Sequence, residues 1–132
     1  MKFHFITPVW GHAYLEMFTN VSLPSQLTPG NLGAFAENDD VTYEIATRAQ
    51  DVDEIESSPA FRALQGMVRT QFCLIDHFDW SVHPYFLLSD GYNEVMQRER
   101  DSMTDTAFFF LASDIVWSDG AFHRTRQILE QG

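Results

Sequence analysis

Apolar residues along this chain alternate between two kinds of spacing. Short β-like runs occupy residues 3–6, 41–47, 68–75 and 107–111. Between and after them lie stretches whose apolar positions recur every three or four residues, the spacing of one helix face. Residues 12–22 form the first, with Ala13, Tyr14, Met17, Phe18 and Val21 as its face, and Pro24, Pro29 and Gly30 limit it. Residues 51–65 predict a second helix with Ile55 and Leu64 inward. Within it Ser58 and Pro59 mark either a fresh start, with Ser58 as cap, or a kink. A third opens at Pro84 and runs to about residue 100, with Phe86, Leu87, Tyr92, Val95 and Met96 available for burial. Arg98 and Arg100 in its last turn suit the negative end of the helix dipole. Residues 121–131 form the last, with Phe122, Ile128 and Leu129 as its stripe and Asp119 as its N-cap. Turn formers fill residues 28–40, 76–81 and 113–120. The unbroken run Ala107, Phe108, Phe109, Phe110, Leu111 predicts a central strand covered on both faces.

The resulting order is β-α-β-α-β-α-β-α. It predicts an α/β fold: a three-layer, open, mostly parallel sheet with helices on both faces and right-handed crossovers. At 132 residues, with no repeat or linker, residues 1–132 read as one domain. The net charge of -11 opposes phosphate backbones and anionic lipid, so nucleic acid is not an expected partner. An anionic ligand would have to be held locally, by a cation, a few arginines or helix N-termini. The one cysteine, Cys73, can form neither an internal disulfide nor a thiolate cluster, which fits a reducing cytoplasm. The apolar start of the chain is too short for a secretory core, and no stretch approaches the roughly 20 apolar residues of a membrane span.

In open α/β sheets ligands bind beyond the C-terminal ends of the strands. Asp114 directly follows the fourth strand. A carboxylate there can coordinate Mg²⁺ or Mn²⁺ that bridges to a diphosphate, or it can serve as a turn or cap. Asp51 and Asp53 follow the second strand, placed either to accept hydrogen bonds from a ribose or base, or to sit in the first turn of a helix. Arg48 suits a phosphate or a surface acid. Trp10 suits stacking on a base or packing in the core. The histidines show no metal-ligand spacing, although His77 lies near Asp76 and Asp79. The Walker loop, the G-x-G-x-x-G turn, the nucleophile elbow and the CxxC pair are all missing, which argues against P-loop hydrolysis and dinucleotide binding.

Several of these pieces fall in a familiar order. Phe5, Ile6, Thr7, Pro8, Val9, Trp10 and Gly11 resemble a first strand and its Pro-Val-Tyr-Asn turn. Ser25 and Gln26 stand where a Ser and a Gln close the first helix. Tyr43 to Thr47 resemble a second strand, with Asp51 the nearest acidic residue after it. Asp90, Gly91, Tyr92 and Asn93 resemble a helix that carries an Asn. Phe109 to Asp114 resemble a strand ending in an Asp-x-Asp motif, whose first Asp is Ala112 here. Together they resemble the N-terminal half of a family 2-like glycosyltransferase of the GT-A fold. The resemblance implies a nucleotide-diphospho-sugar bound by Pro8, Trp10, Thr47, Asp51 and Asn93, and a divalent cation, Mn or Mg, at Asp114. It implies hexosyl transfer to an acceptor that the sequence does not identify. Family enzymes continue into an acceptor-binding half that usually supplies the catalytic base of inverting members. No catalytic residue is therefore assigned, and transfer is expected to need further chain or a completing partner chain. A non-catalytic interaction or dimerisation module on the same fold, acting as a homo-oligomer, is the alternative expectation. A flavodoxin-like small-molecule domain ranks third.

Overall fold

The computed structural model describes residues 1–35 and 39–132, so part of the expected 28–40 loop, residues 36–38, lies outside the described residues. Four strands form one sheet: β1 (Lys2–Pro8), β2 (Asp40–Thr47), β3 (Arg69–Leu74) and β4 (Thr106–Phe110). Their order is β3-β2-β1-β4 and every pairing is parallel. Phe5 stands opposite Tyr43 on one side and Phe109 on the other. Parallel neighbours need crossovers, and helical segments supply them.

The strand expected at the centre lies at an edge. β1 and β2 are buried along almost their whole length, whereas Phe110 of β4 is 49 % exposed. The apolar run of β4 serves three environments: Phe109 enters one core, Phe108 packs against the other, and Phe110 points outward.

The helical stretch after β1 comprises α1 (His12–Met17), a π-helical turn (Phe18–Ser22) and α2 (Leu23–Gln26). Pro24 does not end it. Proline sits in the first turn of α2, where a missing N–H costs least. The inward face is Leu15, Phe18, Ser22, Leu23 and Gln26, while Ala13, Tyr14, Met17 and Val21 of the expected face are exposed. Both stripes satisfy helical spacing, so periodicity alone could not choose between them. Polar Ser22 and Gln26 go inside because each finds hydrogen-bond partners there.

Ser58 makes the fresh start. Its hydroxyl accepts from Phe61 N at 3.2 Å, separating α3 (Val52–Glu56) from α4 (Pro59–Met67). Helix α5 (Pro84–Arg98) buries Leu87, Gly91 and Val95 but leaves Phe86 exposed, and a 3₁₀ turn (Arg100–Asp105) leads into β4. Helix α6 (Ala121–Gln131) buries Phe122, while Ile128 and Leu129 are exposed. Asp119 does not cap it: Gly120 precedes the helix with φ 99°, and Asp119 Oδ1 accepts from Gly30 N at 2.6 Å.

Alternation along the strands divides the interior. Phe3, Phe5, Tyr43, Ile45 and Phe109 pack with Leu15, Phe18, Phe61, Leu64 and Phe122 on one face. Phe5 is the hub, with ring centroids 4.3 Å from Phe109 and 5.3 Å from Phe35 and Phe122. Ile6, Ala46, Cys73 and Ile75 meet Val95 of α5 on the other.

Within this second face Glu44 is fully buried. Its Oε1 accepts from His4 Nε2 at 2.8 Å, from Gln71 Nε2 at 2.9 Å and from the Arg98 guanidinium. Burial pushes this carboxyl up, but the donors from His4, Arg98 and Gln71 outweigh it and hold it at about 2. A carboxyl depressed in the folded state stabilises the fold above its unfolded value and loses that contribution as it is protonated. The stability advantage of the wild type over Glu44→Gln should therefore be full above pH 4.5 and decline toward pH 2. Urea unfolding of both proteins across that range measures it, and a difference that does not change with pH contradicts the assignment.

Candidate functional site

Strands β1, β2 and β3 progress to one side, and β4 then returns to the other side of β1. This reversal is a topological switch point, where the loops after neighbouring strands diverge and leave a crevice. A hollow of about 200 Å³ lies there. Pro8 at the end of β1, with Val9 and Trp10 after it, forms one wall, and Ala112, Ser113 and Asp114 after β4 form another. Tyr14 of α1 and Pro84 and Leu88 of α5 complete it. Helix α5 approaches closely because Gly91 faces the sheet: a Cβ there would lie 3.4 Å from the Pro8 ring and 3.7 Å from Ala46 Cβ.

Asp114 is the exposed charge of this largely apolar crevice. Other aspartates at this end of the sheet are engaged by the fold. Asp51 Oδ2 accepts from Arg48 Nε at 3.0 Å and from Gly11 N at 3.3 Å. Asp76 accepts from Ala49 N at 3.0 Å, and Asp79 from Ser81 N and Oγ. The Asp114 carboxylate forms no hydrogen bond or ion pair among the described residues. Its charge is felt by Tyr92, whose hydroxyl is raised by burial first and by Asp114 second, and which donates to Leu111 O.

The loop that carries Asp114 is anchored from below. Ser22 Oγ donates to Ile115 O at 2.7 Å, and Ser25 Oγ accepts from Trp117 N at 3.0 Å. Asn31, fully buried, binds three groups. Its Nδ2 donates to Ser25 O at 2.9 Å and Ser118 O at 3.1 Å, and its Oδ1 accepts from Phe122 N at 2.9 Å. Asn31 thus caps α6 from another segment of the chain. Gly30 lies so close to this loop that a Cβ would come within 2.5 Å of Gly120 N.

Of the residues singled out in the sequence, Pro8, Trp10 and Asp114 meet in the crevice. Asp51 is buried beside it, its carboxylate joining the loops after β1 and β2. Thr47 closes β2, buried, with its hydroxyl unpartnered among the described residues. Asn93 is exposed on α5 and does not line the crevice. His77 pairs with Glu94 at 3.0 Å rather than with Asp76 or Asp79. A second, more open hollow of about 520 Å³ shares Trp10 and Pro84 with the first. Arg48, Gln50 and Trp80 line it, and Arg48 lies 5.3 Å from the centroid of the Trp80 ring. Trp10 meets Trp80 edge to face at 5.3 Å. Sequence reasoning missed Tyr14, Leu88 and Trp80. Tyr14 had been assigned to a buried stripe, and nothing local distinguishes Leu88 from its neighbours on α5. Among the described residues no three His, Cys, Asp or Glu side chains converge as a ready-made metal cage, and no helix is long and apolar enough to cross a membrane.

Asn31→Ala removes the cap of α6 and takes one donor each from the Ser25 and Ser118 carbonyls. It should cost about 2–4 kcal/mol in urea unfolding, more than a surface Asn substitution. A loss below about 0.5 kcal/mol would contradict the anchoring role.

No family model, no curated protein and no solved structure matches this chain.

Proposed function

We propose that the chain is a glycosyltransferase-like domain of the GT-A type that binds a nucleotide-diphospho-sugar with a divalent cation, Mn or Mg, at Asp114. The observation that carries this reading is a free, exposed carboxylate standing in a crevice at the switch point of a parallel sheet, next to Trp10. Open parallel sheets of this strand order bind nucleotides at that location.

The donor set fits a hard cation that keeps most of its shell from ligand and water. Mg²⁺ and Mn²⁺ sites of this kind use one or two protein carboxylates and complete their coordination with phosphate oxygens. A net charge of -11 favours such a bridge for a diphosphate that settles here. The bound ion supplies Lewis-acid stabilisation of charge on the nucleoside diphosphate leaving group. The protein's own residues bind and orient. Trp10 and Trp80 offer aromatic surface for the nucleobase, and Arg48 and Gln50 border the same hollow. Pro84 and Leu88 exclude water from the sugar side of the crevice. The acceptor hydroxyl is the nucleophile. The crevice lining contains no second carboxylate or histidine that would serve as its base, so transfer by this chain alone is expected to be absent or feeble.

A ligand at about 100 times its Kd stabilises a fold by about 2.7 kcal/mol, a shift of several degrees at this size. UDP-glucose or GDP-mannose with Mn²⁺ should raise the Tm by that order, and the metal-dependent part should disappear in Asp114→Ala. The unliganded Tm of that variant should stay within about 1 °C of wild type, because the carboxylate makes no contact the fold uses. No Tm response to either sugar nucleotide, with or without Mn²⁺, overturns the reading.

A further inference from the structure

We infer that the free edge of β4 is a docking site for an extended, basic segment of a partner protein, which adds a fifth strand to the sheet. The inference stands apart from the nucleotide-sugar reading and shares with it only the charge of Asp114. Among the described residues β4 is paired on one side only, by β1. Leu111 N donates to Ile6 O, so by strand alternation the main-chain groups at 107, 109 and 111 face β1 and those of Phe108 and Phe110 face outward. Sheets normally blunt such an edge with lysine, proline or a bulge. The opposite edge strand, β3, begins with Arg69, which pairs with Asp40. β4 reads Thr-Ala-Phe-Phe-Phe and carries neither a charge nor a proline. Phe110, 49 % exposed, stands on this strand with its ring 5.2 Å from that of Tyr92.

Charge selects the occupant. From residue 101 to residue 123 the chain has no Lys or Arg, and Asp101, Asp105, Asp114 and Asp119 bracket the strand. A second copy of this chain would bring the same acidic brackets to an antiparallel pairing and repel itself. A strand whose ends carry Lys or Arg meets opposite charge at both ends, while its backbone takes up the outward groups of Phe108 and Phe110.

The probe is a fluorescein-labelled peptide, KRTVTVTRK, read by anisotropy against the intact chain. Binding should weaken at least tenfold between about 50 mM and about 500 mM NaCl. It should weaken at least tenfold in Phe110→Lys and severalfold in Asp105→Asn, both of which should keep the wild-type circular dichroism spectrum. Amide exchange followed by NMR provides a readout without substitution: the peptide should slow exchange at Phe108 and Phe110 and leave Phe109 unchanged. Three results overturn the inference. They are equal binding of the acidic peptide EDTVTVTDE, unchanged exchange at both amides, or a concentration-dependent dimer that Phe110→Lys abolishes, which would make a second copy the occupant.

Discussion

A carboxylate buried in the middle of a parallel sheet sets the terms for one half of this molecule. Glu44 lies on the inner strand β2, fully buried, and reaches Arg98 at the end of α5. An uncompensated charge there would cost several kcal/mol, so donors must converge on it. They come from three elements: His4 on β1, Gln71 on β3 and Arg98 at the end of α5. Pairs of this kind are weak as net stabilisers and strong as geometric constraints. Arg98 secures the C-terminal end of α5 to the sheet, and Gly91 lets its middle lie close to Pro8 and Ala46. The N-terminal end then extends over the C-terminal ends of the strands, where Pro84 and Leu88 become a wall of the crevice.

The opposite face reaches the same crevice through a buried chain of hydrogen bonds. Thr7 Oγ1 lies 2.7 Å from the Tyr43 hydroxyl, which donates to Gln26 Oε1 at 2.6 Å. Gln26 Nε2 donates to Ser22 Oγ at 3.3 Å, and Ser22 donates to Ile115 O. Burial raises the Tyr43 hydroxyl and keeps its proton in place as a donor. The chain of bonds runs from the end of β1 to the residue after Asp114. Both walls of the crevice are therefore fixed by polar networks outside it, and the Asp114 carboxylate remains uncommitted. Such preorganisation lets a site bind without first ordering its own residues.

The sheet's two sides of β1 have different characters. Toward β2 and β3 the strand ends are tied by Asp51 and Asp76, which join successive loops. Toward β4 the loop is anchored by Ser22, Ser25, Gly30 and Asn31, and Tyr92 holds Leu111 O at its start, while the outer edge of the strand has no paired strand among the described residues. The crevice, the free carboxylate and the unpaired edge all lie on this second side.

What the sequence determined by itself was local. Alternating periods specified the strand and helix order, Ser58 before Pro59 marked a helix start, and Asp114 and Trp10 were legible as residues just beyond strand ends. Parallel pairing followed from that order, because neighbouring parallel strands need crossovers of helical length. Burial is a property of neighbours, and it was not legible. Two stripes on the first helix had equal claims, and only the partners of Ser22 and Gln26 decided between them. Three consecutive phenylalanines suggested a central strand, yet an edge strand flanked by two cores buries Phe109, half-buries Phe108 and still exposes Phe110. Leu88 and Tyr14 entered the crevice because α5 and α1 were placed by contacts distant in the chain, from Arg98 to Glu44 and from Phe18 into the core. A one-dimensional pattern encodes which residues can face inward together. Which of them do so is decided by the neighbours that tertiary packing brings.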